Sequence, residues 1–130
     1  MGIYKDLIAY KKGYELAMKV YHITMRFPKE EKYSLTDQIR RSTRSVCANI
    51  AEAYRRRKYA NYFLSKLADS DTENAETQVW IDFSFDCNYI TTEEYTDLTS
   101  LNNETKKVDL VHDELPGKIS KMSPHKIPCF

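Results

Sequence analysis

The chain has 130 residues, 42% of them hydrophobic and 30% charged, which is the size and composition of one globular domain. Only 3 Gly and 4 Pro are present, which disfavours an all-β fold with many hairpins, and no apolar run approaches the ~20 residues of a membrane span. Net charge is +1, but residues 1–66 carry 15 Lys/Arg against 6 Asp/Glu, whereas residues 67–97 carry 9 Asp/Glu and no Lys or Arg.

The first two predicted elements are helices separated by a short connection. The first helix is predicted from Asp6 to Phe27, where steps of three and four place on one face Leu7, Tyr10, Tyr14, Ala17, Tyr21 and Thr24. Pro28 then ends this helix because proline cannot continue the hydrogen-bond ladder. Ser34 followed by Asp37 resembles a capping box and predicts a second helix from about Leu35 to Arg56. Its predicted buried seam consists of Leu35, Ile39, Ser42, Val46, Ile50 and Ala53.

Two more helices follow. The third has its apolar stripe between Phe63 and Phe85, after which Asn88 suits a left-handed cap. Thr91 and Glu94 have the spacing of a second capping box, and the fourth helix is predicted to continue to Leu115, before a Pro-Gly pair. These lengths predict an all-α, antiparallel up-down-up-down four-helix bundle domain over residues 1–116. Residues 117–130 are interpreted as a flexible C-terminal tail.

The most informative surface feature is a basic stripe on the second helix. At 100° per residue its arginines lie opposite the buried seam, and small residues at Ala48 and Ala51 between them permit close approach of a partner. Guanidinium groups bind phosphate or carboxylate, so the stripe is predicted to contact either nucleic acid or the acidic block of a neighbouring subunit. The alternative is that the stripe is a solvent-exposed charged face without a partner. The candidate nucleic-acid-binding residues are Arg40, Arg41, Arg44, Arg55, Arg56, Arg57 and Lys58, and nearby Tyr54, Tyr59 and Tyr62 are candidates for stacking on bases.

The third helix is apolar nearly all round between Val79 and Phe85, interrupted only by polar Asp82 and Ser84. One bundle core cannot cover every side of such a helix, which favours a subunit interface formed by Trp80 and Phe83, together with Ala48 and Ala51. The alternative is that loops or the tail cover the extra face.

Catalytic and metal-binding patterns are weak. Asp109 and His112 have an i, i+3 spacing, as do Glu73 and Glu76, but a di-iron bundle needs a Glu-x-x-His pair on each of two helices. The cysteines Cys47, Cys87 and Cys129 form no zinc doublets and no disulfide pattern, which favours a reducing cytoplasm. We therefore expect no enzyme activity, no cofactor and no metal.

Several segments together resemble a bacterial family, the four helix bundle proteins, also called 23S rRNA intervening-sequence proteins, which include the accessory protein of diversity-generating retroelements. The resemblance spans about Asp6 to Leu115. It rests on Phe27-Pro28 with Glu31 and Tyr33-Ser34-Leu35, Gln38-Ile39-Arg40-Arg41, Asn49-Ile50-Ala51-Glu52, and Glu76-Thr77-Gln78 followed by Tyr89-Ile90.

The resemblance implies a ring-shaped homopentamer without enzymatic activity, a basic surface for RNA or DNA, and, in retroelement members, a reverse transcriptase as partner. Arg40 and Arg41 match the family's paired arginines, while Asn49 and Glu52 match a polar pair for which we expect inter-helix hydrogen bonds. Ala53 stands where the family usually has Gly. The leading hypothesis is a homo-oligomeric scaffold that binds structured RNA or a nucleic-acid-handling protein. The alternative is a purely structural assembly in which the arginines pair with a neighbouring subunit's acidic third helix.

Overall fold

The computed structural model describes residues 4–105. The elements are α1 (Ile8–Thr24), α2 (Leu35–Arg55), α3 (Ala60–Asp86) and α4 (Thr92–Glu104), with short 3-10 turns at Tyr4–Asp6 and Lys29–Glu31. Over this range the chain is helical without strands, which confirms the predicted all-α class and its four helices. The predicted continuation to Leu115, the Asp109/His112 pair and the tail 117–130 lie outside the described residues. None of the described helices is both long and apolar enough to cross a membrane.

The hydrophobic core forms two clusters along the helices. One joins α2 and α3 through Val46, Ile50, Phe63 and Leu67, and all four side chains are buried. The other lies around Ile39 and also includes residues of α1, α3 and α4. All six residues of the predicted α2 seam are buried, because apolar residues at helical spacing fall on the face that turns away from water.

Buried hydrogen bonds set the register between neighbouring helices. The Thr77 hydroxyl donates to the Ser42 hydroxyl at 2.8 Å, and the Ser70 hydroxyl donates to the Val46 carbonyl at 3.2 Å, so later residues of α2 meet earlier residues of α3. Between α3 and α4, the amides of Asn74 and Asn102 each donate to the other residue's carbonyl at 3.1 Å. A shifted register would leave these buried groups without partners, which costs free energy.

The end of α3 and the start of α4 follow the local sequence signals. Asn88 has a φ of 63°, and the backbone N–H groups of Asn88 and Tyr89 donate to the carbonyls of Phe85 and Ser84. This arrangement is a Schellman motif, as the predicted left-handed cap requires. At the next helix, Thr91 and Glu94 form the predicted capping box with both reciprocal bonds.

One helix boundary and one helix cap differ from the prediction. Regular α1 ends at Thr24 rather than Phe27, because i→i+3 hydrogen bonds tighten the chain as far as Phe27. The predicted Ser34–Asp37 capping box is wrong, since the Ser34 side chain accepts no cap bond and donates instead to Glu31 Oε1 at 2.6 Å. The same carboxylate oxygen accepts the Leu35 N–H at 3.3 Å, so Glu31 takes over the capping role.

Candidate nucleic-acid interface

Two sides of helix α2 have different neighbours. The side that faces α3 is called the α3 flank, and the side that faces α1 is called the α1 flank. Arg41 lies on the α3 flank, where Nη1 is 3.3 Å from Glu73 Oε2 and Nη2 is 3.1 Å from Glu76 Oε1. The hydrogen bond to Glu73 raises the pKa of the Arg41 guanidinium. Arg41 is therefore paired with carboxylates of its own chain, unlike the uniformly outward arginine stripe that helical spacing predicted.

Arg40 lies on the α1 flank and is half-buried. Its Nε donates to Thr24 Oγ1 at 2.8 Å, its Nη2 donates to the Tyr21 carbonyl at 3.4 Å, and its guanidinium lies 4.9 Å from the Tyr21 ring centroid. These contacts cap the carbonyl end of α1 and hold the guanidinium in one position. Arg40 thus stabilises the bundle while one side of its guanidinium lines the surface.

Arg44 follows Arg40 by one turn and is exposed, with its guanidinium 6.0 Å from the same Tyr21 ring. It forms no salt bridge with any described residue. Arg40, Arg41, Arg44 and Lys32 line a groove of about 460 Å³ whose lining includes one carboxylate, Asp37. We call it the basic groove; its charge suits a phosphate group.

The second group of basic residues lies at the carboxyl end of α2, about 16 Å from Arg44 along the helix axis. Arg55, Arg56 and Lys58 are exposed, and none forms a salt bridge within residues 4–105. Arg57 is different: it is half-buried, donates to the Tyr54 carbonyl at 2.8 Å and lies 4.0 Å from the Tyr54 ring centroid. The exposed charge at this end therefore comes from three of the four predicted residues.

The tyrosines beside these cations are not equivalent. Tyr54 is only 6% exposed, so its predicted stacking on bases is wrong, because its ring is part of the packed interior. The Tyr62 hydroxyl donates to Glu52, which lowers the pKa of that carboxyl, and Lys66 lies 3.6 Å from the same carboxylate. Tyr59 is exposed.

The two residues that match the family's polar pair on α2, Asn49 and Glu52, form different kinds of hydrogen bond. Glu52 bonds across to α3, as expected, whereas the Asn49 amide donates to the Ser45 carbonyl at 3.0 Å within α2. The inter-helix expectation is therefore confirmed for Glu52, while the Asn49 bond stays inside one helix.

A second groove on the α1 flank was missed by the sequence reasoning. We call it the aromatic groove: about 420 Å³, between α1 and α2, bordered by Arg44 and containing Ala48 and Ala51. Its α1 side includes Tyr14 and Met18, which are 52% and 40% exposed. The helical spacing places Tyr14 and Tyr21 on the face of α1 expected to pack, and for these two residues that prediction is wrong. The buried face of α1 consists instead of Ala9, Gly13, Leu16, Val20 and Thr24, so the tyrosine stripe is left to line the groove.

The predicted interface residues on α3 present an apolar patch on this single chain. Phe83 is 54% exposed, and Trp80 packs partly against the core with its ring 6.2 Å from that of Phe83. The buried Trp80 Nε1 has no hydrogen-bond partner among the described residues. Ala48 and Ala51, by contrast, lie in the aromatic groove on the other side of α2. The four predicted interface residues therefore belong to two separate surfaces.

Acidic and sulfur groups do not converge in the described region. Residues 4–105 contain no group of three or more His, Cys, Asp or Glu that could hold a metal ion. Cys47 lies at the aromatic groove, and burial raises the pKa of its thiol to about 11. The thiol is therefore protonated at neutral pH and packs as a small apolar group.

The fold and the surface together define a class: an all-α four-helix protein with a basic outer face. The chain belongs to the 23S rRNA-intervening sequence protein family, whose sequence pattern matches residues 5–109. It is also similar to a crystal structure from Bacteroides thetaiotaomicron, described as a protein of unknown function from the S23 ribosomal protein family. The two chains share 30% sequence identity and align with a TM-score of 0.69. The alignment covers 79% of this chain and 92% of the other. No curated protein matches the chain.

Proposed function

We propose that this chain is a non-catalytic subunit of a homo-oligomeric scaffold that binds structured RNA through the basic surface of α2. In this proposal antiparallel bundles assemble into a ring-shaped homopentamer, and the same surface also accepts DNA or a nucleic-acid-handling protein such as a reverse transcriptase. The observation that carries the proposal is the cluster of exposed cations without salt bridges in the described region: Arg44, Arg55, Arg56 and Lys58.

The distribution of carboxylates supports this proposal. Glu73 and Glu76 of the acidic block already pair with Arg41 of the same chain, and Asp69 lies 3.7 Å from Lys66. These acids therefore compensate α3-flank cations and leave Arg44, Arg55, Arg56 and Lys58 without a salt bridge in the described region. A surface of this kind binds phosphates through counterion release, so its affinity falls steeply as salt rises. The family's description as a 23S rRNA-intervening sequence protein favours RNA as the polyanion.

The test compares two charge-matched double variants. Arg44→Gln with Arg55→Gln removes two cations from the proposed surface. Lys12→Gln with Lys19→Gln removes two from the α1/α4 side, where Lys12 and Lys19 pair with Glu104 and Asp97 at 3.4 and 2.8 Å. RNA affinity is measured by fluorescence anisotropy at several salt concentrations. The first variant should lose about tenfold in affinity and lower the slope of log affinity against log salt by about 1 to 2, whereas the control should change little.

Wild-type affinity that is independent of salt would contradict the electrostatic mechanism. An equal loss in the Lys12/Lys19 control would show that net charge matters and that the α2 surface is not the site.

The second candidate function is a purely structural assembly without nucleic acid, and the exposed Phe83 beside Trp80 favours it. In that case α2 arginines pair with acidic α3 residues of a neighbouring subunit. Arg44→Glu with Arg55→Glu distinguishes the two functions by light-scattering mass: the oligomer persists if the surface serves RNA and dissociates if it serves the assembly. Arg40 is left unchanged because it holds the end of α1.

A further inference from the structure

We infer that the α1 flank of α2 binds unpaired nucleotides, with bases in the aromatic groove and phosphates in the basic groove beside it. This inference rests on the proposed function and narrows its ligand to single-stranded nucleic acid or the unpaired loops of structured RNA. It concerns a surface formed equally by α1, whose contribution the proposed function does not use.

The aromatic groove has the features of a stacking platform. Tyr14 exposes half of its side chain, and its ring lies 6.0 Å from that of Tyr10, which in turn meets Tyr4 at 5.0 Å. This row of rings positions Tyr14 rather than leaving it loose. On the opposite wall Ala48 and Ala51 have no side chain beyond Cβ, which leaves space for a flat group against the tyrosine.

The phosphate site is continuous with this platform. Arg44 lines both grooves, and Tyr21 connects the aromatic groove with a further groove of about 360 Å³ that contains Arg40 and Lys32. From Tyr14 to Met25 the α1 side extends about 17 Å, enough for several nucleotides. The guanidinium of Arg40 is already held against Tyr21, so little side-chain freedom is lost when it meets a phosphate. The buried Thr36 hydroxyl, which has no hydrogen-bond partner among the described residues, lies beside these cations.

Charge and shape together favour a nucleic-acid strand as the occupant. The two grooves carry four cations, Lys32, Arg40, Arg41 and Arg44, of which Arg41 is paired with glutamates of α3. The lining includes a single carboxylate, Asp37, so a polyanion is complementary to these grooves. Bases inside a duplex are stacked on one another and cannot enter a recess between two helices, whereas unpaired bases stack readily on exposed tyrosines. A duplex would reach only the arginines.

The experiment compares a fluorescent oligouridylate of about 12 nucleotides with a blunt RNA duplex of equal length, both by anisotropy. Tyr14→Ala with Met18→Ala removes the platform. The matched control is Ile8→Ala with Val79→Ala, because these side chains are also exposed, at 64% and 46%, and line neither groove. We expect the platform variant to lose roughly 5- to 100-fold in affinity for oligouridylate, the range for one stacked base, with duplex affinity and the control unchanged.

Other outcomes overturn the inference in different ways. Equal losses for oligouridylate and duplex, or no loss for either, would show that bases do not enter the aromatic groove, and the proposed α2 surface would stand without it. A fall in light-scattering mass for the platform variant would identify the groove as a contact between copies of this chain. Failure of the wild-type protein to bind either RNA would overturn the proposed function as well.

Discussion

The two flanks of α2 show how neighbours decide what an arginine does. On the α3 flank, Arg41 meets two glutamates, and hydrogen bonds such as Thr77 to Ser42 close the contact between the helices. On the α1 flank, Arg40 and Arg44 meet the Tyr21 ring, and a groove stays open beside them. Adjacent arginines of the same helix therefore differ although both line the basic groove: Arg41 is paired with two carboxylates of α3, whereas Arg40 is held by a hydroxyl, a carbonyl and an aromatic ring of α1.

The contrast in packing should give the largest measurable effect. Phe63 on α3 is fully buried against Val46 and Ile50, so Phe63→Ala should lower the free energy of unfolding by about 3–5 kcal/mol. Met18 on the α1 side of the open groove is 40% exposed, so Met18→Ala should cost less than about 0.5 kcal/mol. Urea denaturation measures both. A comparable loss for Met18→Ala would mean that the α1 flank is packed and that the comparison fails.

Charge reversal on neighbouring turns should give an intermediate effect. Arg41→Glu places a third carboxylate beside Glu73 and Glu76 and should cost about 1 kcal/mol of unfolding free energy, decreasing with added salt. Arg44→Glu, which breaks no salt bridge within the described range, should change it by less than about 0.5 kcal/mol. Thermal and urea unfolding at two ionic strengths compare the variants. If both cost the same, the two flanks do not differ electrostatically.

The smallest expected effect is on the pH dependence of stability. It concerns Glu31, which caps the start of α2, where both flanks begin. Hydrogen bonds from the Ser34 and Tyr89 hydroxyls lower the pKa of Glu31 in the folded state. A lowered folded-state pKa stabilises the protein above the ordinary glutamate value of about 4.3, and this contribution disappears as pH falls through the lowered value. The stability advantage of the wild type over Glu31→Gln should therefore be present at neutral pH and shrink in acid. Urea unfolding across this pH range is the check, and a constant difference would show that the Glu31 charge is not involved.

Local signals predicted the helices well and the surface less well. The α2 seam, the left-handed Asn88 and the Thr91 capping box depend on residues within a few positions of one another, so periodicity and capping rules find them. The Ser34 capping box failed because the Ser34 hydroxyl donates to the Glu31 carboxylate in the preceding turn, and the Ser34 N–H donates to the Glu31 carbonyl instead of to Asp37. The Tyr89 hydroxyl also donates to Glu31, at 2.9 Å, so a contact from a residue 58 positions away helps to hold Glu31 in this place.

The candidate site could not be predicted from the sequence without the tertiary structure. Arg41 meets glutamates 32 and 35 residues away, and Arg40 meets Tyr21 19 residues away, so no helical wheel of α2 alone could separate their roles. Likewise the aromatic groove combines alanines of α2 with tyrosines of α1.

The sequence by itself determined the helical class, the α2 seam and which residues carry positive charge, because these follow from composition and short-range spacing. The family follows from the resemblance of its motifs and from the match over residues 5–109. Only the tertiary structure decided which cations are compensated and which line an open groove. The physical reason is that compensation depends on the distance between groups on different helices, and packing alone sets that distance.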